Sequence, residues 1–385
     1  MAAAAAGLSM EGEELGELVG LLEDRKPEVR RGAAELVAGL TAEGSGLALL
    51  RGVRAELCPR LLRLVHDASP EVAKLGISAL VNLSQDKETL QTLVELKAVG
   101  RCMQALRDAE VRPAPAPGRA TAAGADPARP PAPRLRRPRL QYRDPQYEVL
   151  MMLLANLTFT EQGSMDLLQR GQEGMEGLFL TWIVKKLGAV GKDEVADWVA
   201  GKDKGEHLAS VLMNVAQYPD GRRLLADRLV VQNLVPLSRT GSVTRRRGVL
   251  GAVKNCCMQA AKEGFLEGLL DPELGLIPAV LAPINGRPPK EADDLVRETA
   301  VEAVLALTMC EEGVAALWEA GAPDALKKGY ELEENPGVCG AMEACAQVFL
   351  SYNKDGEAGA GGDEAAAAAE PEERVVEGYF KPGFL

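Results

Sequence analysis

One helical phrase recurs along this chain, and such recurrence commits a sequence to stacking copies of one unit. The segment PEVAKLGISALVNLS, residues 70–84, sets Val72, Leu75, Ala79, Leu80 and Leu83 on one helical face. PEVRRGAAELVAGLT, residues 27–41, matches it at Pro, Glu, Val and the closing Leu-Ser/Thr. Related phrases end at Thr158, Ala216, Cys257 and Thr308. One aligned position runs Gly39, Asn82, Asn156, Asn214, Asn255, Ala306, with spacings of 43, 74, 58, 41 and 51. The spacing of 74 contains a Pro/Arg-rich segment; without about 30 residues for it, about 44 remains. A period near 42 in an all-helical pattern predicts an all-α armadillo/HEAT-like helical-repeat solenoid, a right-handed superhelix. A tetratricopeptide array would repeat every ~34 residues. Alternating short and long helices with glycine between them favour the three-helix armadillo unit.

Punctuation supports the reading. Ser69-Pro70, Asp144-Pro145, Asp271-Pro272 and Asn335-Pro336 each set a capping side chain before a proline. The first satisfies orphan amides at a helix start, and the second is pre-set for the first helical position. The expected organisation is a disordered N-terminus over 1–10, repeats over 11–110, a disordered Pro/Arg-rich insertion over 111–145, repeats over 146–352 and an acidic disordered tail over 353–385. Residues 111–145 hold 9 of the 23 prolines and eight arginines, a composition that cannot bury a core.

Composition narrows the chemistry. Aromatic residues are 4% of the chain, which disfavours a β-sandwich. Lys and Arg number 44 against 56 Asp and Glu, a net charge of −12 that argues against a nucleic-acid-coating body. Two histidines, His66 and His207, do not make a multi-histidine metal site. The 7 cysteines include no C-x-x-C pair, which suits a reducing compartment. No signal peptide and no membrane span is expected, so the expected location is cytoplasmic, with the nucleus open. No cofactor, no metal and no catalytic nucleophile–base arrangement is expected, and the chain reads as non-enzymatic.

The candidate protein-binding groove consists of Asn82, Asn156, Asn214, Asn255, Arg245, Arg246, Arg247 and Lys254. An amide side chain pairs with both the N–H and C=O of an extended peptide, and stacked repeats would align the four asparagines as a ladder. The competing reading is that each Asn ends its helix in the left-handed cap conformation. Arg245, Arg246 and Arg247 open a helix that carries Lys254 on the face of Arg247. These cations are read either as receivers of partner carboxylates or as solvated charges at a helix end. Gly248 and Gly251 inside that helix imply close approach of a neighbour, because interior glycine costs ~1 kcal/mol against alanine. Cys256 aligns with core leucines, and His207 aligns with Leu75 and is expected buried or half-buried.

The run RRRGVLGAVKNCC after Ser242, with VNLSQD, LLANLT, LMNVAQYPDGRRLL and VQNLVPLS in that order, resembles the eukaryotic HGH family of armadillo-like proteins. The resemblance spans about Leu15 to Tyr352 and is most specific over residues 205–257. It implies a cochaperone that helps elongation factor 2 fold with the cytosolic chaperonin TRiC/CCT, with neither nucleic acid nor membrane as partner. Met258 stands where the family usually has an aromatic residue. The alternative function is an armadillo-type adaptor or scaffold recognising linear peptide motifs, as in nuclear import.

Overall fold

A computed structural model describes residues 12–111, 145–193, 203, 205–239 and 241–359. The expected N-terminus (1–10), the interior of the expected insertion (112–144) and the tail beyond Gly359 lie outside them, as does Asp144. Every regular element among the described residues is helical. The chain divides into two compact units, one running to Asp166 and the other from Leu167.

In the first unit, Pro27–Thr41, Pro70–Leu83 and Pro145–Thr158 lie side by side as long third helices. Helix pairs connect them: Gly44–Arg51 with Arg54–Leu64, then Lys87–Glu95 with Ala98–Val111. Pro145–Thr158 packs on both Pro70–Leu83 and Ala98–Val111, so the repeat after the Pro/Arg-rich segment stacks on the repeat before it. In the second unit the third helices are Glu206–Val215, Val243–Glu263, Asp294–Leu307 and Pro336–Gly359, each against the next. Pro336–Gly359 runs on past residue 352, where the tail was expected to begin. The fold class is all-α, of the armadillo-like helical-repeat kind.

Local chemistry sets these helices. The Ser69 side chain accepts from the Val72 amide, Ser242 from Arg245, and Asp293 from Val296, so caps satisfy otherwise orphan donors. Asn335 accepts from Gly337 and Val338, and Asp271 caps a short 3-10 turn. Val72, Ala79, Leu80 and Leu83 are buried as their spacing predicts. Leu75 is half-buried, because the face turned to the core is centred on Gly76 and Ile77. A Cβ on Gly76 would lie 2.8 Å from the Leu64 side chain, so the second helix seats directly on this glycine.

Candidate functional site

The third helices carry the candidate residues, and two of them keep a stripe out of the core. On Pro70–Leu83 that stripe is Lys74, Ser78 and Asn82, continued by Gln85. On Val243–Glu263 it is Arg247, Lys254, Met258 and Lys262. Asp294–Leu307 departs from this: Leu295 is exposed and Glu298 half-buried near its start, residues 300–308 are all buried, and Met309 emerges just beyond its end.

Asn82, Asn156 and Asn214 lie just before the C-terminal ends of their helices, Asn255 lies in the interior of Val243–Glu263, and three of the four reach back to the preceding third helix. Asn82 Nδ2 donates to Thr41 Oγ1 at 3.1 Å. Asn156 Nδ2 donates to Ser84 Oγ at 2.8 Å, and Asn255 Nδ2 donates to the Met213 carbonyl at 3.3 Å. None adopts the left-handed conformation; Lys97 and Gln169 are the non-glycine residues with positive φ among those described. The amides are therefore stitches between repeats rather than left-handed caps. Asn82, Asn156 and Asn255 remain half-buried, and each Oδ1 meets no donor among the described residues. Asn214 does not fit the groove reading: it is 1% exposed. Its helix is the one on which Val243–Glu263 closes, where a Cβ on Gly248 would lie 2.4 Å from the Ala209 carbonyl carbon and one on Gly251 2.6 Å from Met213 Sδ. The expected close approach at these glycines is present.

The cationic cluster is consumed within the chain. Arg245 is 0% exposed, so it too is removed from the groove. Its Nε donates to Asp203 at 2.6 Å and its Nη1 to the Leu187 carbonyl at 3.1 Å. Burial opposes ionisation of Asp203, yet Arg245 and the amides of Ser242 and Gly205 hold its carboxyl below the usual range. Arg246 grips Glu291 through Nε and Nη2 at 2.7 and 2.9 Å, and its Nη1 returns to the Gly241 carbonyl. Arg247 grips Asp293, the cap of the next third helix, at 2.9 and 2.6 Å. Lys254 meets Glu302 at 3.0 Å. Arg246, Arg247 and Lys254 thus join consecutive repeats; Arg246 and Lys254 are not solvated helix-end charges, Arg247 remains exposed as that reading expected, and none is a vacant receiver of carboxylates.

The Arg246 arrangement repeats. Arg30 and Arg297 occupy the same fourth helical position in Pro27–Thr41 and Asp294–Leu307. Each donates through Nε and Nη2 to a carboxylate three residues before the next third helix, Asp67 or Glu333, and through Nη1 to its own preceding loop. Each carboxylate also accepts its own loop amide, from Ser69 to Asp67, Asp293 to Glu291, and Asn335 to Glu333. Burial raises the Glu333 pKa, but the Arg297 hydrogen bond and the loop amides outweigh it and hold the carboxyl at about 2.

Burial pushes the Cys256 thiol up to about 12, so it is a small core residue beside Leu225, Val231 and Leu276 rather than a nucleophile. His207 is half-buried. Among the described residues no group of three His, Cys, Asp or Glu side chains is placed to hold a metal. No single helix among them is long and apolar enough to cross a membrane.

Sequence reasoning missed a register of large apolar side chains one turn beyond the amide series. Phe159 is 47% exposed and Met309 58%, while Met258 is half-buried. They sit three residues after Asn156, Ala306 and Asn255. The signal was present, since apolar side chains there break the polar pattern set by Gln85 and Gln217. In the second unit, Met258 lies on Val243–Glu263 and Met309 just beyond the end of the neighbouring Asp294–Leu307, and thioether side chains adapt to varied apolar partners.

A family model described as a domain of unknown function (DUF383) matches residues 140–298. A curated relative from Homo sapiens, named Protein HGH1 homolog, is 30% identical over 368 residues, covering 89% of this chain and 83% of that one. One of the same name from Dictyostelium discoideum is 24% identical over 286 residues, covering 74% of this chain and 69% of that one. Among solved structures, an engineered protein superposes with a TM-score of 0.62 at 16% identity, covering 87% of this chain and 68% of that one, a likeness of fold alone.

Proposed function

The chain belongs to the HGH1 family, and we propose that it is a non-enzymatic, protein-binding scaffold of the cytoplasm that assists folding of translation elongation factor 2 together with the TRiC/CCT chaperonin. The observation that carries the binding part is that Met258, on Val243–Glu263, and Met309, just beyond Asp294–Leu307, stay out of the core three residues after aligned positions 255 and 306, while Arg247–Asp293 and Lys254–Glu302 pairs tie these neighbouring helices together. Apolar side chains held out of a core on a firm scaffold suit a partner that presents unburied apolar groups, as an incompletely folded protein does. The half-buried amides add acceptors for a partner's backbone N–H groups. The choice of elongation factor 2 and of the chaperonin rests on the family resemblance carried by residues 205–257.

The test is refolding of denatured, purified elongation factor 2 by purified chaperonin, with and without this protein. The expected result is a higher yield of soluble, nucleotide-binding factor and its co-isolation with this protein before release. An unchanged yield, with no complex on either component, contradicts the proposal.

The adaptor reading draws on a different observation. With its cationic cluster neutralised internally, a chain of net charge −12 favours basic rather than acidic linear motifs. Salt-sensitive capture of basic peptides, with no effect on refolding, would select it.

A further inference from the structure

The last described repeat carries an apolar surface that nothing above has used. Trp318, near the end of helix Glu311–Glu319, is 37% exposed, and so is Tyr352 on helix Pro336–Gly359. Their ring centroids are 5.6 Å apart, and Phe349, buried beneath at 3% exposure, lies 6.3 Å from Trp318. Trp318 is thus held between the buried Phe349 ring and the exposed Tyr352 ring, a firm aromatic platform.

The sequence beyond Gly359 supplies a matching ligand. Residues 360–374, AGGDEAAAAAEPEER, contain no apolar side chain larger than alanine except Pro371. Residues 375–385, VVEGYFKPGFL, then bring Val375, Val376, Tyr379, Phe380, Phe384 and Leu385 together. In a chain with 3 Trp, 6 Tyr and 6 Phe, three aromatics within residues 379–384 are a strong concentration. An acidic, small-residue stretch cannot bury itself, whereas the aromatic stretch after it gains by leaving water.

Distance permits the match. Tyr352 lies two helical turns before Gly359, about 10 Å along the helix axis. For 19 residues, the number from 360 to 378, general chain statistics give a root-mean-square span of about 25 Å and an extended reach of about 60 Å. A tether of that length holds its far end near the patch at roughly millimolar effective concentration. Weak aromatic docking is then enough to keep the patch covered much of the time.

We propose that residues 375–385 dock in cis on the Trp318–Tyr352 surface of the last repeat, as a displaceable internal ligand. The assignment is independent of the folding-assistance reading. It is tested by hydrogen exchange with mass spectrometry on the full chain, a chain shortened after Gly359, and the Tyr379→Ser, Phe380→Ser, Phe384→Ser variant. None of these changes touches the repeat itself, so loss of fold does not confuse the result. The expected result is exchange over 314–320 and 345–352 about tenfold faster in both altered chains than in the full chain. A synthetic peptide of residues 373–385, added to the shortened chain, should restore slow exchange. Equal exchange in all three chains would overturn the proposal. So would protection that grows with protein concentration, because the docked segment would then belong to a second copy.

Discussion

The guanidinium of Arg297 shows how a side chain acts in a stacked array. Its flat fork matches the Glu333 carboxylate, and its third nitrogen closes on its own loop, so one residue fixes both the start of its helix and the approach of the next repeat. Glu333 ionises at about 2 in the folded chain against 4.5 ordinarily. A lowered carboxyl pKa contributes stability above the unfolded value and loses it as pH falls toward the folded one. Wild type should therefore lose the clasp between about pH 4.5 and 2, and Glu333→Gln should flatten that limb of a melting-temperature profile while costing roughly 1–3 kcal/mol at neutral pH. At the other buried pair, Arg245→Met should cost about 3–5 kcal/mol in denaturant unfolding, because Asp203 is left buried and unpaired. Adding Asp203→Leu should recover much of that loss. The arginine triplet was visible in the sequence, but its partners were not. They lie 42 to 46 residues away across loops of unequal length, so charge alone read as a free cluster.

At the scale of the helix, the sequence was more explicit. Ser69-Pro70 and Asn335-Pro336 mark real helix starts, and Ser242 caps the helix that follows it. Gly248 and Gly251 mark a real close approach, because glycine in a helix interior needs a compensating contact to be tolerated. The asparagines were harder, since an amide near a helix end suits a cap, a peptide contact or a stitch, and only the neighbouring helix decides. The glycines give a paired test. Gly248→Ala would drive a methyl group into the Ala209 backbone and should cost about 1–3 kcal/mol in thermal or denaturant unfolding, despite the gain in helix propensity. Gly32→Ala, inside Pro27–Thr41 with nothing within 4 Å of the new carbon, should stabilise by up to ~1 kcal/mol. A stabilising Gly248→Ala would show that these two helices are not tightly apposed.

For the molecule as a whole, a period near 42 made the fold class legible, because each unit must bury its face on a like unit. The site was less legible, since exposure depends on where neighbouring repeats close. That is why Asn214 and Arg245 vanish into the core while Met258 and Met309 remain accessible. The proposed binding surface is the third-helix face of the second unit. It is tested most directly by the dissociation constant for non-native elongation factor 2, measured by fluorescence anisotropy on variants confirmed folded by their melts. Met258→Asp with Met309→Asp should weaken binding at least tenfold. Leu229→Asp, at a position 68% exposed on the connecting helix Arg228–Leu234, should bind like wild type. Equal affinity for both variants and wild type would contradict the account.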